Sequence, residues 1–213
     1  RKLALQNVPK DRYAYFNTIS GDSLIGKSGM SLANKIPQPK GPGRDWQLEE
    51  ALRVADSGLL SKRNFEQGKT MFAASMCSSC HSMRGEGADI GPDLTQLGTR
   101  FSTKDMLEAI IEPNKTISDQ YAATIFTLQD GKSITGRLIN QDAEKYYVSQ
   151  NPFAPQTLRE IPKKDVVDKK LSTVSIMMPG MINRLNPEEL QDLVAYLMAN
   201  GNPEHPVYTG KKK

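Results

Sequence analysis

A chain of 213 residues exceeds the usual single-domain size of about 100–150, so one large domain or two small ones is expected. Hydrophobic residues make up 38% and charged residues 24%, which allows a limited core, and no run approaches the roughly 18 apolar residues that crossing a bilayer takes. The formal charge of +4 has no nucleic-acid motif behind it; it reads as a solvated surface able to steer an acidic partner, with three lysines together at 211–213.

Residues 1–45 read as an extension or linker. Gly, Pro, Ser and Lys recur from 19 to 44 without a period of 2 or 3.6. The chain opens on Arg1-Lys2 with no continuous apolar leader, so no signal peptide is read. From Asp45 a helix is predicted over 45–58, Asp45 capping it, with Trp46, Leu48, Ala51, Leu52 and Ala55 at helical spacing and Gly58 as its stop. A second covers 62–75, where Gly68 lets another helix approach closely beside Phe72.

Next comes Cys77-Ser78-Ser79-Cys80-His81, which contains the only two cysteines of the chain. Two thiols three positions apart with an imidazole directly after are what covalent haem attachment takes: thioethers to two porphyrin vinyl groups and a ligand beneath the iron. A thioredoxin-like pair would open a helix after a strand, whereas the run before Cys77 reads as helix. A zinc site takes about four ligands, and Cys77, Cys80, His81 and distant His205 exhaust the supply. One covalently bound haem c is the reading these residues favour. It implies an extracytoplasmic, periplasmic setting, since such attachment normally occurs outside the cytoplasm, and it is this cofactor that makes the chain a mature or excised fragment of an exported protein. The glycine-rich loop that follows ends in Gly91-Pro92-Asp93-Leu94, close enough to His81 for a carbonyl there to accept the imidazole proton.

A third helix is predicted over 103–111, capped by Thr103 and ended by Pro113. The period then switches to 2. Strands are expected at 121–129 and 132–140 around an Asp130-Gly131 hairpin turn, and at 146–149, 157–161 and 166–171. Residues 116–172 thus form a small β module of four or five strands, too small to be generously stable alone. The last helix is predicted from Pro187, capped by Asn186, to about 200, with Gly201 as its stop and Tyr196 crossing Gly68 and Phe72. Residues 202–213 read as a loose tail.

A haem electron carrier takes a sixth ligand, and the candidates are Met177, Met178, Met181, Met198 and His205. Met198 sits within a helix and reads as core, and His205 stands among prolines in the tail. Pro179 holds Met178 extended, which suits a strap presenting a thioether, with Met177 the alternative.

The ordered set Gly68, Phe72, Cys77-x-x-Cys80-His81, Gly91-Pro92-Asp93-Leu94, Met178-Pro179, Leu193 and Tyr196-Leu197 resembles a class I cytochrome c. More narrowly, it is similar to the haem-binding domains of planctomycete and verrucomicrobial proteins. The resemblance implies a mainly α cytochrome c fold around one haem, at 46–115 and 173–201, interrupted by an inserted antiparallel β module, so α+β overall. It implies Cys77 and Cys80 as thioether carriers, His81 as proximal ligand, Pro92 as carbonyl acceptor, Met178 as distal ligand and Arg100 as a propionate partner. The function it implies is single-electron transfer, not enzymatic catalysis, from a dehydrogenase-type donor to a downstream cytochrome or oxidase. A haem sensor or peroxidase-like enzyme with a displaceable methionine, and a docking role for the β module, are the rival expectations.

Overall fold

Trp46 anchors the start of the ordered chain. In the computed structural model, which describes residues 38–151, 154 and 156–209, its indole N–H donates to the Leu185 carbonyl at 3.1 Å and its side chain is buried. Helix α1 (Leu48–Leu59) begins two residues later, so the expected start at Asp45 is corrected. Asp45 does not cap it: its carboxylate accepts from Asn183 Nδ2 at 2.9 Å, a tertiary bond that displaces the local one. Residues 38–44 dock on the same region. Lys40 N–H donates to Glu189, Asn186 Nδ2 to the Gly41 carbonyl, and Arg44 N–H to the Asn183 carbonyl. The described part of the predicted extension therefore wraps the core, and residues 1–37 lie outside the described residues.

Helix α2 (Phe65–Ala74) starts later than its apolar pattern suggests because Asn64 caps it, accepting from Gln67 N–H at 3.1 Å. It leads through left-handed Met76 into a single 3-10 turn, Cys77–Ser79. A two-residue hairpin follows, β1 (Ser82–Met83) with β2 (Glu86–Gly87), then α3 (Leu97–Arg100) and α4 (Thr103–Ile111). The cap of α4 is Ser102, not the expected Thr103: Ser102 finds a reciprocal partner in Asp105 at the third helical position, which completes a capping box.

Five strands follow: β3 (Thr124–Leu128), β4 (Ser133–Gln141), β5 (Lys145–Ser149), β6 (Leu158–Pro162) and β7 (Val166–Leu171). They pair antiparallel in the order β6-β5-β4-β3-β7, so the last strand returns beside the first, across a 3-10 turn at Lys163–Asp165. Phe126, Ile134, Val148 and Ile161 fill a core of their own. The sheet's ends meet: Ser172 N–H donates to the Ala123 carbonyl, and Ser175 N–H to Asn114 Oδ1, both at 2.8 Å.

Helix α5 (Pro187–Met198) carries an Asn186–Glu189 capping box and packs on α2 and α1. A Cβ at Gly68 would lie 2.3 Å from the Asp192 carbonyl and 2.9 Å from Tyr196 Cβ, so only glycine admits this crossing. The Tyr196 ring meets those of Phe72 at 5.5 Å and Phe65 at 5.6 Å, both in tilted contacts. The expected loose tail is a correction. Residues 206–209 form a short helix, α6 (Pro206–Thr209), whose Tyr208 is buried against Ala195 and Ala199 and meets Phe65 edge-on at 5.4 Å. One aromatic anchor outweighs the absence of any periodicity; residues 210–213 lie outside the described residues. Among the described residues no helix is long and apolar enough to cross a membrane.

Candidate functional site

The 3-10 turn carries Cys77 and Cys80, both free thiols, and delivers His81 directly after. Burial pushes the Cys77 thiol up to about 12 and raises that of Cys80 as well. Both are thus held protonated at neutral pH, the opposite of the lowered value that activates a thioredoxin-type nucleophile. The turn also follows a helix C-terminus, so its cysteines lack the helix N-terminus such a pair uses.

His81 is held on two sides. Its Nδ1 is 2.8 Å from the Pro92 carbonyl, and because a carbonyl can only accept, Nδ1 carries the proton. Burial lowers the histidine's affinity for a second proton more than the Pro92 bond raises it. The ring is therefore neutral, with the lone pair on Nε2, the form that ligates a metal. Gly91 forms the other side. A Cβ there would sit 2.6 Å from Cε1, 2.8 Å from Nδ1 and 3.1 Å from Nε2, so the imidazole rests against bare backbone.

The loop keeps this place through a dense set of bonds. Gly91 N–H donates to the Cys80 carbonyl at 2.7 Å, Leu94 N–H to the Ser82 carbonyl at 2.8 Å, and Ala88 N–H to the Ser78 carbonyl at 3.1 Å. Asp93 accepts from Ser82 Oγ and from Thr95 N–H, bonds that hold its carboxyl below the usual carboxylate range. Thr95 Oγ1 accepts from Arg84 N–H at 2.8 Å. The Asp93-x-Thr95 spacing is a turn signal that sequence reading could have used.

The sequence-predicted residues separate into two groups. Cys77, Cys80, His81 and Pro92 come together in one turn and loop. Arg100 ends α3 with its guanidinium 5.8 Å from the Phe101 ring centroid. Met178 is 48% exposed, and Met177 is half-buried with its N–H donating to Ser175 Oγ at 3.1 Å. Met198 packs on the helical core, its sulfur accepting from the Thr103 hydroxyl at 3.7 Å, in keeping with a core role. His205 Nδ1 accepts from Val207 N–H at 3.3 Å. Among the described residues no group of three or more His, Cys, Asp or Glu could hold a bare metal ion. The donor set fits a covalently attached haem instead: two unpaired thiols on one turn and a neutral, oriented imidazole beside them.

Residues 65–145 match the family model for cytochrome c. The match runs from the first residue of α2 to the first of β5, covering the CxxCH turn and Pro92 and ending short of Met178. No curated protein matches the chain. The chain therefore carries a cytochrome c domain with covalently bound haem c as its cofactor, in an α+β fold, and the domain's role is haem-based electron transfer.

Proposed function

We propose that this chain is the haem domain of an extracytoplasmic c-type cytochrome, passing single electrons from a dehydrogenase-type donor to a downstream cytochrome or oxidase. The observation that carries it is the 2.8 Å bond from His81 Nδ1 to the Pro92 carbonyl, which fixes the tautomer and leaves Nε2 for iron. Cys77 and Cys80 hold the porphyrin, and Met178 is the distal ligand, with Met177 the alternative. The haem supplies a one-electron couple between ferrous and ferric iron. The protein's part is to keep both axial ligands in place so that little rearranges on electron transfer. Arg100 is the cation assigned to a propionate. Residues 116–172 are read as an insertion in the haem domain, a reading supported by the Ser175–Asn114 bond where the chain leaves and returns.

An intact mass one haem above that of the chain, with a haem c pyridine haemochrome spectrum, tests the cofactor. His/Met ligation raises the reduction potential relative to bis-His, so a positive midpoint is expected and a strongly negative one counts against Met178. The ferric sulfur-to-iron charge-transfer band should vanish in Met178→Ala and survive in Met177→Ala; the reverse pattern moves the assignment to Met177. Rapid carbon monoxide binding to the ferrous wild type would instead favour a sensor or peroxidase-like site.

A further inference from the structure

Strand β4 turns Ile134 and Leu138 toward the sheet's core and Arg137, one residue out of phase, to the other face. There Arg137 Nη1 donates to the Ile90 carbonyl at 2.5 Å, across 47 residues of sequence, and its guanidinium lies 5.2 Å from the centroid of the Tyr121 ring. The peptide that accepts at Ile90 donates from Gly91 N–H to the Cys80 carbonyl at 2.7 Å. The Cys80 peptide in turn donates from His81 N–H to the Cys77 carbonyl at 2.8 Å. Arg137 thus heads a line of hydrogen bonds that ends at the first cysteine of the turn. Such a line is mutually reinforcing, because a cation on one carbonyl polarises that peptide and strengthens its N–H as a donor to the next.

We propose that Arg137 is the positioning residue for the His81 imidazole, reaching from the sheet to hold residues 90–92 against the ring. Two of the ring's contacts depend on that segment: the Pro92 carbonyl and the bare backbone at Gly91. If the peptide between Ile90 and Gly91 withdraws, both go together. An arginine suits the task, since its charge is permanent and Tyr121 offers a flat face on which the planar guanidinium rests. The β module is then part of the haem site's construction. The inference rests on the haem reading only in naming His81 a ligand.

The test is solvent exchange of the His81 Nδ1 proton, followed by NMR in the haem-loaded, reduced protein. In Arg137→Met it should exchange about ten-fold faster or more, the scale of a lost charge-assisted hydrogen bond. In Arg137→Lys, which keeps a cationic donor, it should stay within about three-fold of wild type. Arg159→Met, which removes a bond to Gln150 on the same sheet, should leave it unchanged. Wild-type protection in a folded Arg137→Met protein overturns the proposal, and so does an equal loss in Arg137→Lys. Should Arg137→Met not fold, Arg137→Leu, which likewise has no donor, takes its place with the same two outcomes. Intact mass reports separately on the haem: a wild type without covalent haem fails the haem reading, whereas unchanged ring-proton exchange in haem-loaded Arg137→Met fails this inference alone.

Discussion

The substitution Gly91→Ala would place a methyl carbon 2.6 Å from His81 Cε1, about 0.9 Å inside the ~3.5 Å at which two carbons attract best. Neither partner can yield cheaply. The ring follows a backbone whose N–H is bonded to the Cys77 carbonyl, and the loop is held by Gly91 N–H on Cys80 and by Arg137 on Ile90. Overpacking of this kind costs about 1–3 kcal/mol. Stretching the Pro92 bond removes up to about 1 kcal/mol more, and the narrower unfolded ensemble of alanine returns about 0.4–1 kcal/mol. Taken at mid-range these terms leave a net loss of about 2 kcal/mol, which lowers the melting temperature by roughly 4–8 °C in a chain of this length. Thermal unfolding followed by circular dichroism, with the His81 Nδ1 proton read by NMR, measures both halves of the argument. A melt within about 1 °C of wild type, together with an unmoved ring signal, would refute the reasoning, since that difference is below the smallest shift expected.

Three further outcomes are expected. Gly68→Ala should lower stability by about 1–3 kcal/mol in denaturant titration, although alanine is the better helix former by about 1 kcal/mol, because its Cβ would meet the Asp192 carbonyl. The Tyr208 hydroxyl is buried without a hydrogen-bond partner, and burial raises its ionisation above the ordinary tyrosine value. Tyr208→Phe should therefore be neutral or stabilising, while Tyr208→Ala should cost about 3–5 kcal/mol by removing a packed ring. Asp192 is buried and its carboxyl raised by that burial, against the opposing pull of the Asn64 N–H bond and of Arg63 at 3.7 Å. A raised carboxyl contributes stability that is present below its unfolded value near 3.8 and lost as pH rises through the folded value. Asp192→Asn keeps the Asn64 acceptor and removes this loss, so its melting temperature relative to wild type should climb between pH 4 and pH 7.

Local signals in the sequence carried the turn and the helices well. Cys77-x-x-Cys80-His81 needs no tertiary context, and the Gly91-Pro92 loop lies near enough along the chain that its return to His81 is a matter of length. Gly68 against Tyr196 was legible because a glycine inside an apolar helical stripe has few other uses. The misses have two causes. Asp45 as a cap and the loose tail are local readings overruled by distant partners, Asn183 and the surface around Ala195, whereas Thr103 as a cap was a misread local signal, since the Ser102–Asp105 box lies in the sequence itself. Arg137 left no trace at all, since a charged residue on the outer face of a strand looks like any solvated one until the loop it meets is known.

The β strands lie between His81 and the proposed distal strap in sequence; Arg137 ties them to the loop at His81, and a bond between the residues that flank them closes the neck on the strap side. On the strap side, Asn114 accepts from Ser175 N–H across 61 residues, and Ser175 Oγ accepts from Met177 N–H one residue before Met178. Closing a loop of that length from a disordered chain costs about 3–4 kcal/mol in entropy, a cost that falls on the strap if the intervening chain is unstructured. Here the sheet meets it by folding on its own buried Phe126, Ile134, Val148 and Ile161, so the strap begins from a fixed point. On the proximal side, Arg137 of the same sheet holds the loop beneath His81. A module that only interrupted the haem domain would need its neck bond alone. The bond at Ile90 serves no closure, and its place in the line of peptides ending at Cys77 ties the sheet to the turn and loop that carry the proposed proximal ligand.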